Sequence, residues 1–206
     1  MRAEAGERTT RSGTAGGNLA LATAAFALTF WAWNLIGPLS RSYSEDLGLT
    51  PTQTSILVAF PVLVGSLGRI PVGTLTDRYG GRAMFTAVCL LSVVPTLLVG
   101  LSANSYPMLL VWGFFLGIAG TSFAIGIPFV NAWYQAGRRG FATGVFGAGM
   151  GGTALSAFLT PRLVEAMGVF TTHLLMCVAL AAMAAVLWLF ARNSPEWSPR
   201  TEPALP

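Results

Sequence analysis

Six long apolar blocks run through this 206-residue chain, at 18–39, 52–75, 83–101, 106–133, 140–161 and 169–191. A bilayer core about 30 Å thick asks for roughly 20 helical residues at 1.5 Å rise, and each block has about that length. Backbone N–H and C=O groups find no water in hydrocarbon, so a spanning segment has to be a helix or part of a closed barrel. Barrel strands would show about 10 residues of period-two alternation, and these blocks show none. The chain therefore reads as an all-α membrane protein with six transmembrane helices. Only 10% of its residues are charged, against about 25% in a soluble domain. That is too few to cover a globular surface in water, which sets aside soluble enzymes, nucleic-acid binders, disulfide scaffolds and disordered chains.

The connections RSYSEDLGLTP, TDRYGGR, SANS, QAGRR and RLVEAMG are short, so successive helices should run antiparallel with no soluble domain between them. The first block is longer than the 7 to 15 apolar residues of a secretion signal, and it reads as a span. Residues 1–17 are polar and arginine-bearing, and 192–206 are proline-rich with mixed charge. Both are expected to be disordered cytoplasmic tails without a folded role. All twelve basic residues are arginines. With the N-terminus inside, nine of them (Arg2, Arg8, Arg11, Arg78, Arg82, Arg138, Arg139, Arg192 and Arg200) fall on the inner side, and only Arg41 and Arg162 fall outside. The positive-inside rule then puts both termini in the cytoplasm, and the expected location is the cell's inner (plasma) membrane. This asymmetry accounts for the basic balance through topology and anionic lipid, with no nucleic acid involved. Cys89 and Cys177 lie inside spans and read as inert buried thiols.

Small residues concentrate in the second and fifth blocks, where helices can approach closely. Gly65, Gly68 and Gly73 mark the second. Gly140, Gly144, Ala148 and Gly152 recur at four-residue spacing in the fifth, with Gly147 and Gly151 beside them. The third and sixth blocks are nearly uniform apolar stretches and are expected to be peripheral. The first and fourth each carry an asparagine near a proline, Asn34 with Pro38 and Asn131 with Pro128. The order of helix characters thus repeats, which points to a three-plus-three inverted repeat with its binding region near the midplane. A plain six-helix bundle is the alternative.

Arg69 is the one charge inside a block. An arginine at a span centre costs about 2.5–3.5 kcal/mol to insert, so it demands a pocket, a partner or water. Snorkelling to the inner headgroups is the alternative, since Arg69 lies six residues before the end of its block. No aspartate or glutamate occurs inside any block, which leaves the guanidinium fork for a foreign anion. The same absence argues against proton coupling through intramembrane acids. The single histidine, His173, sits at the outer start of the sixth block and reads as a membrane-interface residue. Nothing within the blocks forms an acid pair, a metal-ligand cluster or a nucleophile-base set, so neither enzymatic chemistry nor a cofactor is expected.

The run GTLTDRYGGR after the second block resembles the cytoplasmic loop signature of the major facilitator superfamily, with Gly73, Asp77, Arg78, Gly81 and Arg82 at the matching places. The resemblance implies a conformational latch on the inner face, with Asp77 contacting a second half of the transporter. More of the chain, FPVLVGSLGRIPVGTLTDRYGGR and GIPFVNAWYQAGRRGFATGVFGAGMGG, is similar to the first half of the nitrate/nitrite porters within that superfamily. What this implies is transport of nitrate or nitrite by alternating access, with Arg69 at the anion-binding position. It also implies a glycine signature at Gly147, Gly149, Gly151 and Gly152. Met150 stands where that family carries asparagine, which removes a polar contact. Trp31, Asn34 and Phe146 are candidates to line the cavity, with core packing the alternative for the two aromatics. The resemblance covers one half of a twelve-helix fold. The missing wall is expected from a homodimer partner or from a separately encoded C-terminal half. The rival reading is a non-transporting remnant or an accessory membrane subunit.

Overall fold

A computed structural model describes the backbone of residues 3–195 and 197–199, with side chains from residue 15 onward. Among the described residues the chain is all-helical. Six helical stretches are long and apolar enough to cross a membrane: Ala15–Leu47, Pro51–Tyr79, Gly81–Leu101, Tyr106–Asn131, Ala136–Met167 and Val169–Phe190. They are numbered here as the first to the sixth span.

Several spans run further than their apolar blocks. The helix of the first begins at Ala3, inside the stretch expected to be a disordered tail, because the alanine-, glutamate- and arginine-bearing sequence there can propagate a helix once the span nucleates it. After a break at residues 34–35 the helix resumes as Ile36–Leu47 and takes up most of RSYSEDLGLTP. Ile36, Leu39 and Tyr43 are buried on one face there while Arg41, Glu45 and Asp46 stay exposed, so a charged segment remains helical by amphipathicity. Gly48, at φ +62°, ends it. The second span continues through TDRY to Tyr79, and the fifth continues through RLVEA to Met167.

Four spans are interrupted, and the prolines explain two of the breaks. Pro38 has no N–H to return to the Asn34 carbonyl, and the Ser156 hydroxyl donates to that oxygen instead at 3.2 Å. Pro71 likewise gives the Leu67 carbonyl no i+4 donor, and the second span divides there into Pro51–Leu67 and Arg69–Tyr79. The fourth tightens into a 3₁₀ turn at Gly117–Thr121 and the fifth at Ala148–Met150. The third and sixth are uninterrupted. The sequence interrupted, interrupted, continuous therefore occurs twice, and each continuous helix starts after a left-handed glycine, Gly80 at φ +82° and Gly168 at φ +85°.

The third span is not peripheral. About 56% of its most apolar stretch is buried, against 22% for the second span and 28% for the fifth. The third and sixth spans, each a single unbroken helix, pack extensively on each other. Ser92 and Thr96 return their hydroxyls to their own helix at 2.7 Å, leaving a smooth face that burial does not penalise. His173 is fully buried against Gly100 in that contact, so its side chain wedges two helices together and is not exposed to the surroundings of the bundle. Both cysteines are buried and free.

The fifth span's glycines divide between two faces. A Cβ placed on Gly149 would stand 2.5 Å from Phe26, and one on Gly152 would stand 1.9 Å from the Ala27 carbonyl oxygen, so this face presses directly on the first span's backbone. Gly140, Gly144, Gly147 and Gly151 have open space above them. The small-residue face expected to be crowded is therefore only half occupied within this unit.

The described part of the C-terminal tail is also ordered. The Arg192 amide donates to Asn18 Oδ1 at 2.8 Å and the Ser194 hydroxyl to the Ala132 carbonyl at 2.7 Å. These contacts arise because Asn18 and the C-terminal end of the fourth span present polar groups where the sixth span ends. Residues 196 and 200–206 of the expected tail lie outside the described residues, as do the first two residues of the chain.

Candidate functional site

Arg69 opens the second half of the interrupted second span. It is half-buried, and its guanidinium carbon lies 5.2 Å from the ring centre of Phe123 on the fourth span. That direction is into the bundle, away from the headgroups that snorkelling would reach. The Arg69 Nε is shielded from solvent and has no hydrogen-bond partner, and no carboxylate pairs with Arg69 among the described residues. A buried donor without a partner costs roughly 1–3 kcal/mol, more when charged, so an acceptor at this Nε would be stabilising.

Aromatic packing holds Phe123 in place. Phe26 of the first span stacks on Phe146 of the fifth at 4.5 Å between ring centres and contacts Phe123 at 5.7 Å. Phe30 meets Phe26 at 4.2 Å and Trp33 at 4.9 Å. Phe146 reaches this position because Gly126 has no side chain, since a Cβ there would fall 1.9 Å from the Phe146 ring. Trp33 lies between Gly65 of the second span and Gly120 of the fourth, and its indole N–H donates to the Pro61 carbonyl at 2.9 Å. The first, second and fourth spans are thereby fixed beside Arg69. Phe146 is fully buried and backs the aromatic layer behind Phe123.

The other candidates are placed elsewhere. The Trp31 indole donates to Thr160 Oγ1 at 3.0 Å, and its ring packs on the cluster of Ala32, Leu35, Ala119, Met176 and Leu180. The Asn34 amide donates to the Thr153 carbonyl at 3.2 Å. Both residues tie the first span to the fifth. Gly149 packs on the first span, whereas Gly147 and Met150 lie on the open side of the fifth. Sequence reasoning missed Phe123 and Trp33. The available signal was the pairing of a large aromatic with glycines on two other spans, which becomes visible only once the spans are brought together.

The residues of the expected latch share the arginine-rich end of the bundle but occupy different elements. Gly73, Asp77 and Arg78 are helical, and the turn itself is Gly80, whose positive φ no other residue type adopts without cost. Gly81 lets Phe129 approach, at 2.4 Å from where a Cβ would stand. The Arg82 guanidinium donates to the Trp188 carbonyl and lies over the Trp188 ring at 4.7 Å. Asp77 lines a small cleft with Thr76, Phe129, Asn193 and Trp197. No group of three or more His, Cys, Asp or Glu able to hold a metal occurs among the described residues.

Known proteins carry the same pattern. The chain is 57% identical over 191 residues to the "Probable nitrate/nitrite transporter NarK2" of Mycobacterium tuberculosis, covering 92% of this chain and 48% of that protein. It is 42% identical over 144 residues to the "Probable nitrate/nitrite antiporter NarK1" of Thermus thermophilus, covering 70% of this chain and 32% of the relative. It is 35% identical over 185 residues to the "Probable nitrate transporter NarT" of Staphylococcus haemolyticus, covering 89% and 48%. The chain thus spans about half the length of the first of these relatives or less. The family model of the Major Facilitator Superfamily matches residues 22–206, and with six helical spans, two interrupted and one continuous in each triplet, the chain belongs to that superfamily.

Proposed function

We propose that this chain forms one half of a transporter for a small inorganic anion, nitrate and/or nitrite, working by alternating access. The observation that carries the reading is Arg69: a half-buried guanidinium with a shielded, unpartnered Nε, no carboxylate paired with it among the described residues, and an aromatic ring 5.2 Å away. Nitrate is planar, singly charged and weakly basic. A guanidinium fork can hold two of its oxygens while Phe123 confines one face. Interrupted helices around such a site are what midplane binding in repeat-built transporters uses, and the names of the relatives agree with the substrate.

A second six-helix half supplies the opposing wall. The exposed side of the second span and the open glycines of the fifth are the surfaces it would cover, whether it is a second copy or a separate C-terminal half. Two copies would bring two Arg69 side chains across one cavity, where their repulsion makes anion binding favour closure. The arginine distribution supports an inner-membrane orientation with both termini cytoplasmic, and the turn around Gly80 would then latch the inner face.

The test is nitrate and nitrite flux into proteoliposomes holding this chain with and without a complementary half. Flux above empty vesicles that is lost in Arg69→Ala is the expected result. No flux in either arrangement overturns the transport reading and leaves a membrane interaction subunit.

A further inference from the structure

The third span begins without a capping side chain of its own. Its N-cap is Gly80, which has no side chain to accept from the first turn's N–H groups, although a helix start leaves several of them unsatisfied. The missing acceptor comes from 111 residues away. Asn193, just past the sixth span, accepts the Arg82 N–H on its side-chain oxygen at 3.0 Å, and its amide fills the space over Gly80, 2.2 Å from where a Cβ would stand. Its two neighbours are engaged as well. The Arg192 amide is bound by Asn18 at the start of the first span, and the Ser194 hydroxyl by Ala132 at the end of the fourth. The Trp197 amide closes a turn onto the Ser194 carbonyl at 2.9 Å, and Trp197 lines the cleft that also holds Asp77. Three consecutive residues thus join the arginine-rich ends of the first, third and fourth spans to the end of the sixth.

We propose that Arg192, Asn193 and Ser194 form a clasp that locks the Gly80 turn against the end of the fourth span and so fixes where Asp77 and Arg78 are presented. The bonds from the Arg82 amide to Asn193, from the Arg192 amide to Asn18 and from Ser194 to the Ala132 carbonyl join uncharged groups, so breaking these three exposes no buried charge. The sixth span is the last of this unit, so whatever displaces the segment that follows it also releases the turn. The transport consequence rests on the reading of that turn as a latch; the clasp itself does not.

Hydrogen–deuterium exchange on the whole chain in lipid nanodiscs tests it. In Asn193→Ala the amides of residues 80–86 should exchange roughly fivefold faster, the factor expected for losing one N-cap. Asn193→Asp keeps an oxygen for the Arg82 N–H and should retain the protection. Ser194→Ala, which leaves the cap in place, should raise exchange over the same residues by loosening the segment, and it serves if Asn193→Ala does not fold. Unchanged exchange in Asn193→Ala, or an Asp variant that exchanges like the Ala variant, overturns the clasp. If exchange rises while flux through the two-half assembly stays the same, the clasp stands and the latch reading of the turn fails.

Discussion

Substituting alanine at two adjacent glycines should give opposite outcomes. Gly152 presses on the first span and Gly151 faces open space. Alanine gains up to about 1 kcal/mol over glycine in a helix interior, and at Gly151 nothing opposes that gain. At Gly152 the new Cβ would lie 1.9 Å from the Ala27 carbonyl oxygen, whereas ordinary contact begins at 3.4 Å, so the two helices have to part by 1.5 Å. The obstructing atom is backbone, which has no rotamer to change. Overpacking of this kind costs about 1–3 kcal/mol. The separation also stretches the Asn34–Thr153 and Ser156–Asn34 bonds, both already at 3.2 Å and each contributing about 1 kcal/mol. The net loss for Gly152→Ala is therefore about 2–4 kcal/mol. Thermal denaturation of the purified chain in detergent should show Gly152→Ala melting roughly 5–10 °C below the parent, with Gly151→Ala equal to it or above. If the two variants melt indistinguishably, the assignment of the glycines to two faces is wrong.

Gly147→Leu enlarges the open face, so it should leave the melting temperature of the six-span chain unchanged while abolishing its cross-linking to a second half. Arg69→Lys keeps the charge but loses the fork, and anion flux should fall about tenfold with a raised KM, measured in the same proteoliposomes. Trp33→Phe removes the donor to the Pro61 carbonyl and should cost about 1 kcal/mol by denaturation. Met150→Asn introduces an amide on the exposed side of the fifth span. It should raise anion affinity in the two-half assembly and leave the stability of the isolated chain unchanged, and unaltered affinity would make the position simple packing.

The spans were legible because hydropathy over about 20 residues reports what lipid demands of a helix, whatever its neighbours are. Arg69 was legible for the same reason, since a charge inside such a block is expensive wherever it points. Its surroundings were not. Trp31 and Asn34 look like cavity residues in the sequence, yet their N–H groups are taken by Thr160 and the Thr153 carbonyl, partners more than 110 residues away. The first and fifth spans outrun their apolar blocks because polar composition ends a block without ending a helix. Ile36, Leu39 and Tyr43 keep one face buried through a charged stretch. Small residues mislead in the opposite sense. They show that a backbone can approach, but not whether a partner within the same unit does so, and for Gly140, Gly144, Gly147 and Gly151 none does.

The repeat also explains why one end of the bundle carries the signature. Gly80 and Gly168 hold the same place in their triplets with nearly the same backbone, φ +82° and ψ 154° against φ +85° and ψ 163°. Each lets a helix ending in the preceding residue reverse into a continuous span, and each carbonyl accepts from the residue four further on, Met84 and Thr172. Backbone geometry alone would make the two turns interchangeable. Their surroundings differ: Gly168 has open space above it, whereas Gly80 is covered by the Asn193 amide and is flanked by Asp77, Arg78 and Arg82. The fold thus provides one turn twice, at opposite ends, and the sequence elaborates only the arginine-rich copy. A glycine turn needs none of these side chains to form, so their concentration at one copy is what the proposed latch calls for, and the hydrogen bonds from the segment after the sixth span are the clasp proposed to hold it.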